Sequence, residues 1–229
     1  MQQIIKVIIP AYNEQNSIGK VIRDIPVAWV QEVVVVNNNS SDYTVQHAQE
    51  AGATVLQELQ QGYGFACLRG IEYVSQQAKL PDIIVFMDAD YSDYPEQLPE
   101  VVAPIIAGHA DLVIGSRALG SRERGSMTLP QVFGNWLATR LLRWLYGAHF
   151  TDLGPFRAIR YEALQQLEMK DQTYGWTVEM KLKAAKAGLR CTEVPVRYRQ
   201  RIGVSKVSGT VKGTIMAGYK IIWTIIKYL

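Results

Sequence analysis

The sequence predicts an α/β protein: one mostly parallel sheet flanked by helices, with an amphipathic helix at its C-terminus. Three observations carry that prediction. Short apolar, β-branched runs alternate with helical patterns through the first half, the rhythm of right-handed strand–helix–strand units. The runs are continuous rather than alternating, as expected of strands covered on both faces. Cap and turn residues stand where the patterns change. A length of 229 residues suits one large domain, and 48% hydrophobic with 20% charged residues marks a globular chain rather than a disordered one.

Taken in order, "KVIIP" (6–10) is the first strand and 16–24 the first helix. "EVVVVN" (32–37) is the second strand, and a helix over 42–51 follows. Ser40 or Ser41 is placed to cap that helix, Asp42 serves its N-terminus, and Gly52 falls where a left-handed terminator is wanted. "ATVLQ" (53–57), a helix over 64–78, "DIIVFMD" (82–88), a helix over 95–107 and "DLVIGS" (111–116) complete the alternation. Pro95 suits a first helical turn, with Asp93 before it as a cap. The second half differs. Residues 130–147 form a helix carrying Trp136, Leu137, Leu141, Trp144 and Leu145, and 175–188 form another, ended by Gly188. "RCTEVPVRYRQR" (190–201) reads as a strand whose proline suits an edge. With no repeat or low-complexity linker, 1–208 is expected to be one domain and 209–229 an appended amphipathic helix.

A net charge of +3 is too mild to argue for nucleic acid. Cys67 and Cys191 stand in no metal-binding spacing and read as two thiols in a reducing compartment. "IIKVIIPAYNE" is interrupted by Pro10 and Asn13 too soon for a secretory signal, and no stretch reaches about 18 uncharged apolar residues.

Ligands of open parallel sheets sit beyond the carboxyl ends of the strands. The polar groups expected there are "PAYNE", "NNNSSD", "DADYSD" and "GSRALG". Asp88 and Asp90, two residues apart on an extended segment, point the same way at roughly 6–7 Å. At that spacing two carboxylates repel by about 2–3 kcal/mol. A proton, an arginine or lysine, or a divalent cation must offset this; for carboxylates that also hold phosphates, Mg²⁺ or Mn²⁺ is the natural partner. The first strand is followed by neither G-x-G-x-x-G nor a phosphate-binding G-x-x-x-x-G-K-[ST] loop, so those nucleotide folds are excluded.

Pro10, Tyr12, Asn13 and Glu14, then "NNNSSDYT", Asp88-Ala89-Asp90 and "GSR" (115–117), together resemble glycosyltransferase family 2. "DLGPFRAIR" (152–160) and "EVPVRYRQRIGVSK" (193–206) resemble segments of its dolichyl- and polyprenyl-phosphate hexose synthases, so the likeness spans essentially the whole chain. The resemblance implies a GT-A, Rossmann-like fold and an inverting transfer of a hexose from a nucleotide-diphosphate sugar to a polyprenyl phosphate. It implies that Pro10, Tyr12 and Glu14 frame base and ribose. Asp88 and Asp90 would hold the metal and diphosphate, with Ser92 at a third ligand position. Arg117, Arg201, Ser205 and Lys206 would neutralise the leaving group. Asn38 stands where relatives carry Asp, with the neighbouring Asn37 or Asn39 as the alternative contact; its paired donor and acceptor match uracil better than guanine, which favours a UDP-sugar slightly over GDP-mannose.

The acceptor decides whether a base is needed. A hydroxyl wants a carboxylate, Asp152 or Glu179, whereas a lipid phosphate is already ionised, with Arg157 and Arg160 to receive it. At 100° per residue Ile215, Tyr219, Ile222, Trp223 and Ile226 share one face of the last helix, with Lys220, Lys227 and Thr224 off it. This is the pattern of an interfacial helix, expected to attach peripherally, and the resemblance implies that the membrane face is the cytoplasmic one. The 130–147 helix, with Arg140 and Arg143, is a second contact. The rival packs both helices on the sheet or in a homo-oligomer. Functional rivals are a hydroxyl acceptor, a non-catalytic nucleotide-sugar binding module, and a sugar nucleotidyltransferase, which would need a Gly-rich, Arg-bearing loop after the first strand.

Overall fold

Seven strands form one sheet in the order β3-β2-β1-β4-β6-β5-β7 in a computed structural model that describes residues 3–205 and 211–228. The strands are β1 (Ile5–Ala11), β2 (Glu32–Asn37), β3 (Thr54–Gln57), β4 (Ile83–Phe86), β5 (Leu112–Ser116), β6 (Arg157–Arg160) and β7 (Cys191–Pro195). The helices are α1 (Ile18–Asp24), α2 (Thr44–Glu50), α3 (Tyr63–Ser75), α4 (Leu98–Ile106), α5 (Leu129–Tyr146), α6 (Tyr161–Gln166), α7 (Trp176–Lys186) and α8 (Val211–Lys227). Every pairing is parallel except those of β6, which runs antiparallel between β4 and β5.

The continuous apolar runs are explained by burial on two faces. Val34, Val36, Ile84 and Phe86 point into one core with α3, α5 and α7, while Val35, Ile83, Val85 and Met87 point into the other with α1 and α4. β7 lies at the sheet edge beside β5, in keeping with its proline. Gly52 and Gly188 adopt positive φ just beyond α2 and α7. A capping box of Thr128 and Gln131 starts α5, and Gly147 in the left-handed region stops it.

Three expectations need correction. β6 is a strand that the apolar pattern does not announce; with an arginine at each end, it carries no strand-length apolar signal. Neither Ser40 nor Ser41 caps α2. Tyr43 occupies that position, and Asp42 instead accepts from the Thr44 amide at 3.0 Å. Asp93 caps nothing: the 3-10 turn Pro95–Gln97 that precedes α4 follows Tyr94, and neither Asp93 carboxylate oxygen has a hydrogen-bond partner among the described residues.

Close approach at the N-terminus of α3 joins two parts of the chain that the site needs. A Cβ on Gly64 would lie 2.0 Å from the Asp171 carbonyl oxygen, so only glycine lets α3 meet the 171–172 backbone. Gly64→Ala is expected to cost about 1–3 kcal/mol through overpacking. Gly134→Ala is expected to gain up to about 1 kcal/mol from helix propensity, because a Cβ there meets nothing within 4 Å. Thermal unfolding of both variants checks this; equal melting shifts would count against the packing argument.

Candidate active site

The sheet order creates the site. β1 and β4 are neighbours, yet the chain leaves β1 towards β2 on one side, while β5 lies on the other side of β4. A crevice opens at such a switch point, beyond the carboxyl ends of the strands. A cavity of about 680 Å³ fills it.

At the β1 end the "PAYNE" and "NNNSSDYT" loops are stitched together. The Asn13 amide donates to Ser40 Oγ at 2.9 Å, the Ser41 amide to Asn13 Oδ1 at 2.8 Å, and the Glu14 amide to Thr44 Oγ1 at 2.7 Å. Asn13 sits at φ +53, a left-handed geometry that Asn tolerates better than most residues. Pro10, Tyr12 and Glu14 line the cavity, and Glu14 Oε2 accepts from Ser17 Oγ at 2.7 Å.

Asn38 lines the cavity too, but its amide is engaged. Nδ2 donates to the carbonyls of Glu58 and Gln60, at 3.2 and 2.7 Å, and Oδ1 accepts from the Gly62 amide at 2.7 Å. Both donor hydrogens are spent on the chain, leaving at most one acceptor lone pair for a ligand. The matched donor–acceptor argument for uracil therefore does not hold; Asn38 pins the 58–62 loop.

β4 delivers the acids. Asp90 Oδ1 accepts from the Ser92 amide at 2.9 Å and from its hydroxyl, and Asp90 Oδ2 pairs with Arg201 Nη1 at 2.9 Å. Ser92 is fully buried and outside the cavity lining, turned onto Asp90. Asp88 Oδ1 is buried with no hydrogen-bond partner among the described residues. Burial first, and Asp90 second, push the Asp88 carboxyl up to about 6 against the pull of Arg201, Arg157 and Arg117. Burial, Asp88 and Asp90 likewise push Asp93 well above the ordinary carboxylate range. An orphaned carboxylate oxygen beside a second acid held, among the described residues, by a serine and an arginine fits a hard divalent cation. Among the described residues no three His, Cys, Asp or Glu side chains are grouped to hold a metal, so Asp88 and Asp90 would share coordination with ligand oxygens and water.

β5 delivers Arg117. Its Nε and Nη2 form a bidentate pair with Asp152, each at 2.7 Å, and its guanidinium lies 4.9 Å from the centre of the Tyr198 ring. Burial alone would raise the Asp152 carboxyl, but Arg117 and Lys181 together hold it below the ordinary range. Beneath the pair the fully buried Lys181 donates to the Asp152 carbonyl, and Glu193 of β7 accepts from the amides of Thr151 and Asp152. Burial, and then Arg157, bring Lys181 down to about 7.

The other expected residues separate. Arg201 and Ser205 line the cavity; Lys206 lies outside the described residues. Glu179 does not line it. Glu179 accepts from the amides of Lys170 and Asp171, from Lys183 and from the Tyr228 hydroxyl, and these contacts outweigh burial and hold its carboxyl low. Arg157 is fully buried under the rim, donating to the Pro155 carbonyl and Thr177 Oγ1. Arg160 is in register with Ile83, at the opposite end of β4 from Asp88, and pairs with Asp111 at 3.3 Å, so the fold separates it from the crevice. Sequence reasoning missed two residues of the cavity lining: Tyr63, whose buried hydroxyl has no hydrogen-bond partner among the described residues, and Tyr198 beneath Arg117. The glycines flanking Tyr63 in "QGYGFA" were the available signal.

α5 and α8 expose several large apolar side chains. Phe133, Trp136, Trp144, Tyr219, Trp223 and Ile226 are exposed, with Arg140 and Arg143 beside them, whereas Thr224 and Ile225 are buried. Lys220 pairs with Asp171 at 3.1 Å; the Ile215 side chain lies outside the described residues. No described helix is long and apolar enough to cross a membrane.

Comparison with known proteins agrees with this architecture. Residues 6–168 match the family Glycosyl transferase family 2. The chain is 35% identical over 208 residues to a dolichyl-phosphate hexose transferase of Haloferax volcanii, covering 88% of this chain and 85% of that protein. It is 31% identical over 221 residues to an undecaprenyl-phosphate mannosyltransferase of Micrococcus luteus, covering 90% and 88%. Glucosyl-3-phosphoglycerate synthase of Mycobacterium tuberculosis, solved with Mn²⁺, UDP and glucosyl-3-phosphoglycerate, shares the fold at a TM-score of 0.79 and 24% identity, covering 99% of this chain and 80% of that one. A crevice at the β1/β4 switch point, acids at the end of β4 and a family match over most of the chain lead to one assignment: this protein belongs to glycosyl transferase family 2 and is a glycosyltransferase.

Proposed function

We propose that this enzyme moves a hexose, with inversion, from a nucleotide-diphosphate sugar to a polyprenyl phosphate at the cytoplasmic face of a membrane. The observation that carries the acceptor is the commitment of both candidate bases. Asp152 is bound by Arg117, and Glu179 is held by four donors outside the cavity. Neither is free to deprotonate a hydroxyl. An acceptor phosphate needs no base, since its second proton is lost at a pKa of about 6. Gly134 of α5 and Gly218 and Ile221 of α8 line the cavity, and the same two helices carry exposed apolar side chains, which suits an acceptor with a hydrocarbon tail. The two relatives named for transfer to lipid phosphates support the same reading. With Asn38 committed to the chain, preference for a UDP-sugar rests on the fold neighbour's complex with UDP.

In this reading Tyr12 stacks on the base and Glu14 accepts from ribose hydroxyls. Asp88 and Asp90 hold Mg²⁺ or Mn²⁺, which supplies positive charge to the diphosphate when bound. Arg201 passes from Asp90 to the departing phosphate, and Ser205 donates to it. Arg117, fixed in its plane by Asp152, faces the cavity as a second cation for phosphate oxygens. An acceptor phosphate oxygen attacks the anomeric carbon opposite the leaving group. Its lone pair forms the new C–O bond as the old C–O pair leaves on the diphosphate, so one in-line displacement inverts the centre. Lys206 has its leaving-group role from the family resemblance alone.

The deciding assay offers radiolabelled UDP- and GDP-hexoses with undecaprenyl phosphate in one arm and hydroxyl acceptors in the other. A UDP-dependent lipid-phosphate hexose is expected; product from hydroxyl acceptors alone would retire the proposal. Asp90→Ala is expected to abolish Mn²⁺-dependent UDP binding while leaving far-UV circular dichroism unchanged, and unaltered binding would sink the site assignment. A pH effect follows from Asp88. Its carboxyl is raised to about 6, so below that pH a proton must leave before a cation binds. Apparent affinity for Mn²⁺–UDP is expected to fall by up to about tenfold per pH unit as pH drops below 6, and to be flat above it. The same raised value makes ionisation costly to the fold, so stability in the absence of ligand should decline between about pH 4 and 6 as pH rises. Calorimetric titrations at pH 5, 6 and 7 test the binding arm.

A further inference from the structure

Arg199 takes no direct part in the reaction proposed above, yet it ties the turn after Asp90 to the segment that carries Arg201. Its guanidinium carbon lies 3.5 Å from the centre of the Tyr91 ring and 4.1 Å from that of Tyr94. Its Nε donates to the Tyr91 carbonyl at 2.8 Å and its Nη2 to the Asp93 carbonyl at 3.0 Å. Its backbone amide donates to the Ser92 carbonyl at 2.9 Å, in step with the Ile202 amide on the Asp90 carbonyl at 2.9 Å. The ring it stacks on is tied down in turn: the Tyr91 hydroxyl donates to Asp24 at the end of α1. Tyr91 also holds a φ of +64, a conformation an aromatic residue keeps only when its surroundings impose it.

The two segments joined here each bring half of one ion pair. Residues 90–94 carry Asp90 and residues 198–202 carry Arg201, whose side chains meet at 2.9 Å. When Arg201 turns to a diphosphate, that pair no longer joins the segments. The backbone bonds and the Arg199 stack remain. We infer that Arg199 is a positioning residue: it keeps the acidic turn and the Arg201 segment at fixed spacing while the Arg201 side chain changes partners. Lysine cannot replace it fully, because an ammonium stacks on one ring and cannot reproduce a planar fork sandwiched between two rings with two carbonyls at its edge.

This inference rests on the diphosphate reading of Asp90 and Arg201, and a double-mutant cycle separates the two. Binding of UDP and of UMP, each with Mn²⁺, is measured for the wild type, Arg199→Ala, Arg201→Ala and the double variant. Arg199→Ala is expected to weaken UDP by about tenfold, the scale of coupled neighbouring groups, with UMP nearly unchanged. The double variant should bind UDP about as Arg201→Ala alone does, and Arg199→Lys should recover part of the loss. Equal weakening of UDP and UMP, or losses that add in the double variant, would overturn the positioning role. Unchanged UDP binding in Arg201→Ala would refute the diphosphate reading itself, and the inference would fall with it. Should Arg199→Ala not fold, Tyr94→Leu, which removes one face of the stack and leaves the hydrogen bonds, takes its place in the cycle, with the same results expected and the same results overturning the role.

Discussion

Two carboxylates set side by side at the end of a buried strand need a cation, and much of the surrounding structure answers that need. Arg201 reaches across from the segment after β7 to lie on Asp90. Asp88, with one oxygen orphaned, and the unpartnered Asp93 answer differently: their carboxyls are pushed up, so each holds its proton to higher pH. The strand order forces the problem, because β4 must stop beside β1 for the crevice to exist, and whatever follows β4 then faces the ligand.

A second electrostatic layer lies under the first. Arg117, Asp152, Lys181, Glu193 and Arg157 form a largely buried network: Arg117 pairs with Asp152, Lys181 and Arg157 donate to carbonyls, and Glu193 accepts from backbone amides. Such networks contribute little net stability, since desolvation offsets attraction. Their effect is geometric: a bidentate carboxylate fixes the plane of Arg117, and Glu193 fixes the loop that carries that carboxylate.

What could be read from sequence follows the range of the interactions involved. β1, β2, β4 and β5 announced themselves because burial on both faces leaves an unbroken apolar run. The cavity residues at strand ends were legible for the same reason: once strands are placed, their ends are placed, and Pro10, Tyr12, Glu14, Asp88, Asp90 and Arg117 arrive together. β6 was illegible because its four residues have an arginine at each end and its direction is set by neighbours distant in sequence. That direction also separates Arg157 from Arg160, which share one motif but lie at opposite ends of the sheet. Asn38 misled because its partners, Glu58, Gln60 and Gly62, come from a loop more than a strand away, and local chemistry cannot reveal that a side chain is already engaged. Asp152 and Glu179 were open candidates for bases until their donors, up to 49 residues off in the chain, could be named.

The contact between Arg201 and Asp90 also bears on how selectivity arises. In the proposed reaction, a pyrophosphate entering the crevice meets an Arg201 guanidinium that is already paired. It trades places: the guanidinium gives up one anion for another, and the carboxylate one cation for another. Neither group need pass through an unpaired buried state, so net charge supplies little discrimination between one polyanion and the next. Selection falls instead on spacing, to whichever molecule sets its phosphates at the distance the two backbone segments hold open.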